Sequence, residues 1–433
     1  MRLRLSRFLS CLCIIPLVLQ GCRPVPLVNN GAIDERSFER IVNGVQEAAK
    51  LRFRRPLRSR AVTVALAREF FQNAAKDGYG GEQALRAAIQ VRIDLGFAGV
   101  PSDYRGDPGD VSRLALGVLA LLTAAYEESP EMVAIVDGSD DRLKGQTSTL
   151  QDILSALSHP VNFATRRSPS ELSTIAAVDQ ALIDQNFNVR DRINTIQQNY
   201  DERIALVWGE WGEGLLVRDT ILRRDGDTTA VCNSLDAPSL WDSLFIKLSG
   251  LPTPAVTQIF PYFEERFVCQ AYARGGWPAV NSLYSNPPRS TQQFLHPALY
   301  YDHAMLPLRV TLAGYQDVLN GWAVVYEDTL GELSLLTLVA GLPGRGREKL
   351  ALFTQWAGDR VVALRSGDEM TVIWLIIFRD KAAASKFYGL YSSSKSPRVR
   401  TAQDNRSVLV VAGPGAEQFD QLAPRVWRET VVQ

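Results

Sequence analysis

The longest apolar-periodic stretch of this chain runs from Ser168 to Gly214 and reads as two helices with a short break. The first opens at Ser168-Pro169-Ser170-Glu171, a serine cap with proline early. Leu172, Ile175, Ala176, Leu182 and Ile183 form its apolar side. The helical spacing resumes from Asp191 to Arg224 as a further helix pair that carries Trp208 and Trp211. Upstream, Phe38, Ile41, Val42 and Val45 predict a helix over 33–50, followed by a short strand over 61–65 and helices over 67–75, 84–95 and 111–126. The turn at Glu128-Ser129-Pro130-Glu131 leads into a strand over 132–136, so that 124–138 reads as a hairpin. A short helix is expected over 150–157, and two more over 239–248 and 262–274. Asn286-Pro287-Pro288 cannot continue a helix.

From about Leu306 the pattern shifts to strands alternating with short helices. Strands are expected over 321–326, 361–364, 371–378, 398–402 and 407–411. Helices are expected over 330–340, 344–356, 381–391 and 416–431. Thr371 to Phe378 is almost wholly apolar, the mark of a strand buried on both faces. The expected fold class is therefore α+β. A mainly helical domain with a small strand region occupies 33–305, and a smaller C-terminal α+β domain occupies 306–433.

The N-terminus breaks the pattern. Arg2, Arg4 and Arg7 precede an apolar run from Phe8 to Leu19 that is too short to span a bilayer as a helix. It ends at Gly21-Cys22 and resembles a bacterial lipobox, which implies a signal peptide over 1–21, acylation of Cys22 and a tether over 22–32. The expected partner of the acylated Cys22 is the lipid bilayer, and durable attachment takes more than one acyl chain. Arg23, in place of an aspartate, directs the expectation to the outer membrane, facing the periplasm.

Composition narrows the classes further. Of 433 residues, 46% are apolar and 22% charged, as in a globular protein with a core. Lysines and arginines balance acids at 47 each, which gives no reason to expect nucleic acid as a partner. Cys11 and Cys13 leave with the signal, so Cys232 and Cys269 are the pair left to an oxidising compartment. They read as a disulfide, with two buried free thiols as the alternative.

Several stretches together resemble a family of uncharacterised, mostly secreted prokaryotic proteins taken to be zincin-like metallopeptidases, with the core pattern H-E-x-x-H-A-L-x-D-Q-x-F. Ala181-Leu182-Ile183-Asp184-Gln185-Asn186-Phe187 fits its second half. LRFRRPLRSRAVTVA matches its opening and AAYEESPEMVAIVDG its hairpin. Gly275 to Pro297 fits a G-G-W-x-A-V-N…P-P-x-S-T-x-Q-x-L-H-P pattern, Asp328 to Glu332 fits D-T-L-G-E, and Gly358 to Arg360 fits G-D-R. The same register places the first histidine at Ala176, the glutamate at Ala177, the second histidine at Gln180 and the third ligand at Trp208. Two histidines one turn apart can share one zinc, and the intervening glutamate polarises its water. Alanine has no donor atom, and tryptophan offers only an N–H. The resemblance therefore implies a pseudo-metallopeptidase with no metal, no cofactor and no catalytic residue at these positions.

A rebuilt site would draw on few groups. The chain has three histidines, His159, His296 and His303, of which His296 falls in the L-H-P pattern as a loop residue. Asp179, Asp184, Glu210 and Glu213 could supply carboxylates, although the plainer expectation puts them on solvated helix faces. No G-x-S-x-G or Walker loop is present. The leading expectation is a membrane-anchored envelope lipoprotein acting as a binding or assembly module, with an envelope protein as partner and Trp208 and Trp211 filling the former metal pocket. The alternatives are a hydrolase using the surviving carboxylates and a purely structural lipoprotein.

Overall fold

The structure is a computed structural model that describes residues 27–97, 124–127, 131–137, 169–223, 225–235, 260–303, 305–344, 346–394 and 398–433. The signal segment, Cys22 and the expected helices over 150–157 and 239–248 lie outside these residues. The fold is mixed α+β with several separate sheets. No described helix is long and apolar enough to cross a membrane.

The N-terminal part opens on a two-residue ribbon in which Val28–Asn29 pairs with Ala32–Ile33. Leu27 and Val28 are buried in the main core, so the later part of the tether expected over 22–32 belongs to the fold. Then comes α1 (Glu35–Ala49), which buries Phe38, Ile41 and Val45 at the expected spacing. Next come β1 (Arg58–Val62), α2 (Val64–Gly78) and α3 (Glu82–Asp94). The strand ends earlier than the apolar run AVTVA implies, because Thr63 caps α2 by accepting the Leu66 N–H at 3.2 Å. The hairpin forms as expected from β2 (Ala124–Glu127) and β3 (Met132–Val136), and β1 pairs parallel to β3. Residues 124–126, expected at the end of a helix, are strand because β3 supplies them with ladder partners.

The central helices are α4 (Pro169–Phe187), α5 (Val189–Thr195) and α6 (Tyr200–Leu222). Behind α6 lie α7 (Thr228–Leu235) and α8 (Phe260–Ser282), joined by the Cys232–Cys269 disulfide with a Cα–Cα distance of 5.1 Å. Closing that loop contributes roughly 4 kcal/mol in the chain-entropy account. α8 is kinked at Gly275 and Gly276. Two short helices follow the proline turn, α9 (Thr291–Leu295) and α10 (Ala298–Tyr301).

The C-terminal part is a five-stranded antiparallel sheet. Its strands are β5 (Ala323–Asp328), β6 (Trp356–Ser366), β7 (Glu369–Phe378), β8 (Val399–Asp404) and β9 (Ser407–Ala412), in the order β8-β9-β7-β6-β5. β7 is central, as its apolar run implies. Its alternate residues serve two cores. Val372, Trp374, Ile376 and Phe378 face the main core, while Ile373, Leu375 and Ile377 face a second one. Helices α11 (Gly331–Gly341), α12 (Gly346–Phe353) and α13 (Lys381–Ser394) supply Leu335, Leu336, Leu352, Ala384 and Phe387 to the main core. The second core is capped by Leu422 and Val426 of α14 (Phe419–Glu429) and by Leu312, Tyr315 and Leu319.

Three boundaries in this part differ from the sequence expectation. The helix expected over 344–356 stops at Phe353, because Trp356 pairs with Phe378 and opens β6. The helix expected over 416–431 divides into a 3-10 turn at Pro414–Gln418 and α14. Its last residues form β10 (Val431–Val432), which pairs with β4 (Val310–Thr311). Finally, the main core does not divide at residue 306. One continuous cluster joins Phe38 of α1, Val178 of α4 and Phe263 of α8 to Trp356, Trp374 and Val408 of the sheet.

Candidate functional site

α4 and α6 pack face to face, and α4 also meets α1, β2 and β3. Little of α4 is left for solvent. Thr174, Ile175, Val178, Asp179, Ala181, Leu182 and Ile183 are all fully buried. Asp179, Glu210 and Glu213 were expected on solvated faces, and this enclosure is why they have no exposure at all. Glu210 and Glu213 are three residues apart and so share one side of α6.

Their surroundings are largely apolar, with two polar anchors. Arg190 of α5 reaches Glu210 Oε2 at 3.2 Å, and the Tyr284 hydroxyl donates to Glu213 Oε2 at 2.7 Å. Neither Asp179 oxygen has a hydrogen-bond partner. Burial, reinforced by the charges of Glu213 and Glu210, pushes the Asp179 carboxyl well above the ordinary range. Burial pushes Glu213 up to about 7, against the Tyr284 hydrogen bond and with help from the Glu210 charge. Three carboxyls this close cannot all ionise in a low-dielectric core, so the cluster retains protons at neutral pH. A protonated carboxyl beside an ionised one is the raw material of acid–base chemistry. Here all three are sealed from solvent. Among the described residues, no group of three or more His, Cys, Asp or Glu is placed to hold a metal ion.

The positions that the resemblance assigns to the metal site are not gathered round one cavity. Ala176 lies against α6 at Gly214, where an added Cβ would stand 3.4 Å from both Ala176 Cα and Cβ. Ala177 is buried in the main core, and Gln180 is half-buried. Trp208 packs its ring against Phe260 at 5.3 Å and edge-on to Phe294 at 5.7 Å. It lies two residues before Glu210, about 200° round the helix at 100° per residue, and so faces α8 and α9 rather than α4. Gly209 and Gly212 share that side, opposite Phe294 and the Glu264 carbonyl. The space opposite Asp179 is therefore filled by Glu210 and Glu213, and Trp208 fills a different one.

The remaining motif residues fasten the scaffold. Asp184 accepts from the Tyr126 hydroxyl at 3.0 Å and from the Arg190 N–H at 2.9 Å, tying the hairpin to the start of α5. Gln185 Oε1 accepts the Arg54 and Arg55 N–H groups at 3.1 and 3.0 Å. Asn186 Nδ2 donates to the Arg52 carbonyl at 3.1 Å. The A-L-I-D-Q-N-F stretch thus pins the basic segment 52–55 against α4.

A second convergence joins helices to sheet. Asp201, at the start of α6, accepts from both the backbone and the hydroxyl of Thr291. Burial pushes its carboxyl up to about 7, although the Ser290 and Thr291 hydrogen bonds pull the other way. Gly331 passes Asp201 with φ +82, and any Cβ there would overlap its carboxylate. Asp359 accepts from the N–H groups of Leu330 and Gly331 and the indole nitrogens of Trp356 and Trp374, at 2.9 to 3.2 Å. His296 Nε2 meets Glu332 Oε1 at 2.6 Å. The P-P-x-S-T…L-H-P, D-T-L-G-E and G-D-R stretches are therefore parts of one junction.

Sequence reasoning placed Glu332 and Asp359 in the D-T-L-G-E and G-D-R stretches without giving either a role, and did not single out Asp201 or the buried pair Glu264 and Glu265 of α8. Burial pushes Glu264 up to about 8, and burial with the Asp219 charge pushes Glu265 well above its ordinary range. The available signal was local. Glu264 and Glu265 lie in the run F-P-Y-F-E-E-R-F-V, where a carboxylate has little solvated face to occupy, whereas Asp201 stands in the polar stretch Q-Q-N-Y-D-E-R and carries no such signal.

Beside the junction lies an open, largely polar cleft of about 610 Å³, with Gln198, Asn199, Arg289, Leu306, Arg309 and Arg360 among its lining residues. Arg360 is held by Glu327 at 2.7 Å and Arg289 by Glu202 at 3.1 Å. Comparison of the chain with protein-family models, with curated proteins and with solved structures finds no match.

Proposed function

We propose that the chain is a lipid-anchored cell-envelope protein that works by binding, and that its zincin-like helix pair serves as scaffold rather than as a metal centre. The observation that carries this reading is the contact of Ala176 with Gly214. Two helices that touch at this point leave no room for an ion, its water and a substrate between them. The buried positions of Ala177 and Trp208 also make the former metal site unsuitable as a docking surface. The open cleft at Arg289, Arg309 and Arg360 is the better place for a partner, since it is accessible and Arg289 and Arg360 are already held in position by Glu202 and Glu327. The Cys232–Cys269 disulfide supports an oxidising compartment, and Gly21-Cys22 supports acylation and an outer-membrane position facing the periplasm.

Two measurements test this. Full-length protein incubated with zinc and dialysed is expected to retain much less than one equivalent. Retention of a full equivalent that is lost in Asp179→Asn would overturn the reading. In intact cells, Cys22→Ala is expected to move the protein from the membrane to the soluble fraction, and a photo-cross-linker at Arg309 is expected to capture a specific envelope partner. A hydrolase remains the second reading, on the strength of the proton-holding Asp179–Glu213 cluster. It requires turnover of a peptide or glycan that disappears in Asp179→Asn while the fold persists.

A further inference from the structure

Positive charge exceeds negative charge around the turn between α9 and α10. His296 ends α9, with its side chain 27% exposed and held by the fully buried Glu332 of α11. Arg379, just past β7, is held only by neutral groups, with Nη1 3.0 Å from Met305 Sδ and Nη2 3.4 Å from Gln292 Oε1. Gln292 lies one turn before His296 on the same helix. Arg266 belongs to α8 at the level where the neighbouring Phe267 packs on Phe294 at 4.1 Å and on Tyr301 at 5.2 Å. The Tyr301 hydroxyl donates to the Phe267 carbonyl at 3.0 Å, which locks α8 to this turn. Both guanidinium charges reach the imidazole: each opposes its protonation, as burial does, while Glu332 outweighs them and raises its pKa.

The two arginines lack what such groups normally have. Both Nε atoms are buried and have no hydrogen-bond partner, and neither arginine forms an ion pair among the described residues. A buried charged donor without an acceptor is costly, and two cations near a histidine add repulsion. His296 engages Glu332 Oε1, while Glu332 Oε2 has no hydrogen-bond partner. One carboxylate against two guanidinium groups still leaves the basin with a surplus of positive charge and unused donors.

We propose that Arg266, Arg379 and His296 form a binding site for a phosphate-type oxyanion. Forked guanidinium groups suit a tetrahedral oxyanion, because each can direct two N–H bonds at it. An anion here answers both orphaned donors and balances the charge around Glu332. The neighbouring surface favours an amphiphilic source. Met305, whose sulfur meets Arg379, is 38% exposed, and its chain neighbour Leu306 is 52% exposed, so an acyl chain attached to the phosphate could lie along them.

The test uses detergent-solubilised full-length protein titrated with inorganic phosphate in a calorimeter. Saturable binding is expected, weakened roughly tenfold or more in Arg266→Gln and in Arg379→Gln, since each removes a charge-assisted hydrogen bond. Arg425→Gln, which removes an exposed pair with Asp317 on the far side of the sheet, is expected to leave it unchanged. Cooperative melting and an intact Cys232–Cys269 bond certify that each variant folds. A second arm floats the Cys22→Ser protein with phosphatidylglycerol or phosphatidylcholine vesicles. Flotation with the anionic vesicles alone, lost in Arg266→Gln, assigns the phosphate to a lipid headgroup. Saturable phosphate binding without flotation assigns it to a soluble compound. A linear, unsaturable response, or equal binding by wild type and both arginine variants, overturns the proposal.

Discussion

Glu213 shows how a buried side chain makes the stability of the whole chain depend on pH. Its folded pKa of about 7 lies above the ordinary 4.5 because burial disfavours the charge. Between these limits the folded chain binds more protons than the unfolded chain, so stability falls as pH rises. Its contribution is full below about pH 4.5 and is lost as pH rises through about 7. Asp201 and Glu264 act in the same direction, Glu264 up to about pH 8. The melting temperature is therefore expected to fall from pH 5 to pH 8. Glu213→Gln, which keeps an acceptor for Tyr284, is expected to flatten that slope by about 1–3 kcal/mol. A slope that survives the substitution intact counts against this account. None of this could be read from residue identity. Asp179, Glu210 and Glu213 lie at helical spacings typical of a wet face, and only the elements packed against α4 and α6 decide that the face is dry.

At the scale of elements, α6 is where the sequence was both most and least informative. Its C-terminal end near Arg224, its break from α4 and its apolar character were legible from periodicity, while the boundary that divides 191–224 into α5 and α6 was not. Its rotation was not, because apolar residues surround it and no stripe marks the side that meets α4. For that reason Trp208 could be taken for a partner of Ala176 when it belongs with Phe260 and Phe294. The glycines hold the information that the apolar residues lack. An added Cβ on Gly212 would overlap the Glu264 carbonyl of α8, while one on Gly209 would have its nearest neighbour at 4.0 Å. Gly212→Ala is expected to cost about 2–3 kcal/mol or more through forced separation of α6 and α8. Gly209→Ala is expected to be neutral or to gain about 0.5–1 kcal/mol in helix propensity. Urea denaturation of the two variants distinguishes them, and equal stabilities would refute the close approach.

At the scale of the molecule, the change of pattern near Leu306 was legible and marks a real change of architecture, from helices to a five-stranded sheet. It does not mark a break in the core. Trp374 and Val408 of the sheet belong to the same apolar cluster as Phe38 and Phe263. Tyr391 of α13 donates to the Leu95 carbonyl at 2.8 Å, across most of the chain. Periodicity reports which face of an element is apolar, but not which distant element covers it. Residues 306–433 expressed alone are therefore expected to lack a cooperative thermal transition, with Trp374 in a mobile environment by near-ultraviolet circular dichroism. A sharp transition in that fragment would show that the sheet is self-sufficient.

The pairing of Val431 and Val432 with Val310 and Thr311 also acts as a clasp. The ladder joins the end of α14 to the segment that carries Leu312, and both of these cap the second core. The two caps are thus tied to each other as well as to the sheet. Opening this short ladder would loosen the cover over Leu375, Ile377, Leu409 and Val411 from two sides at once, so that fraying of two residues could bare an apolar sheet face to aggregation.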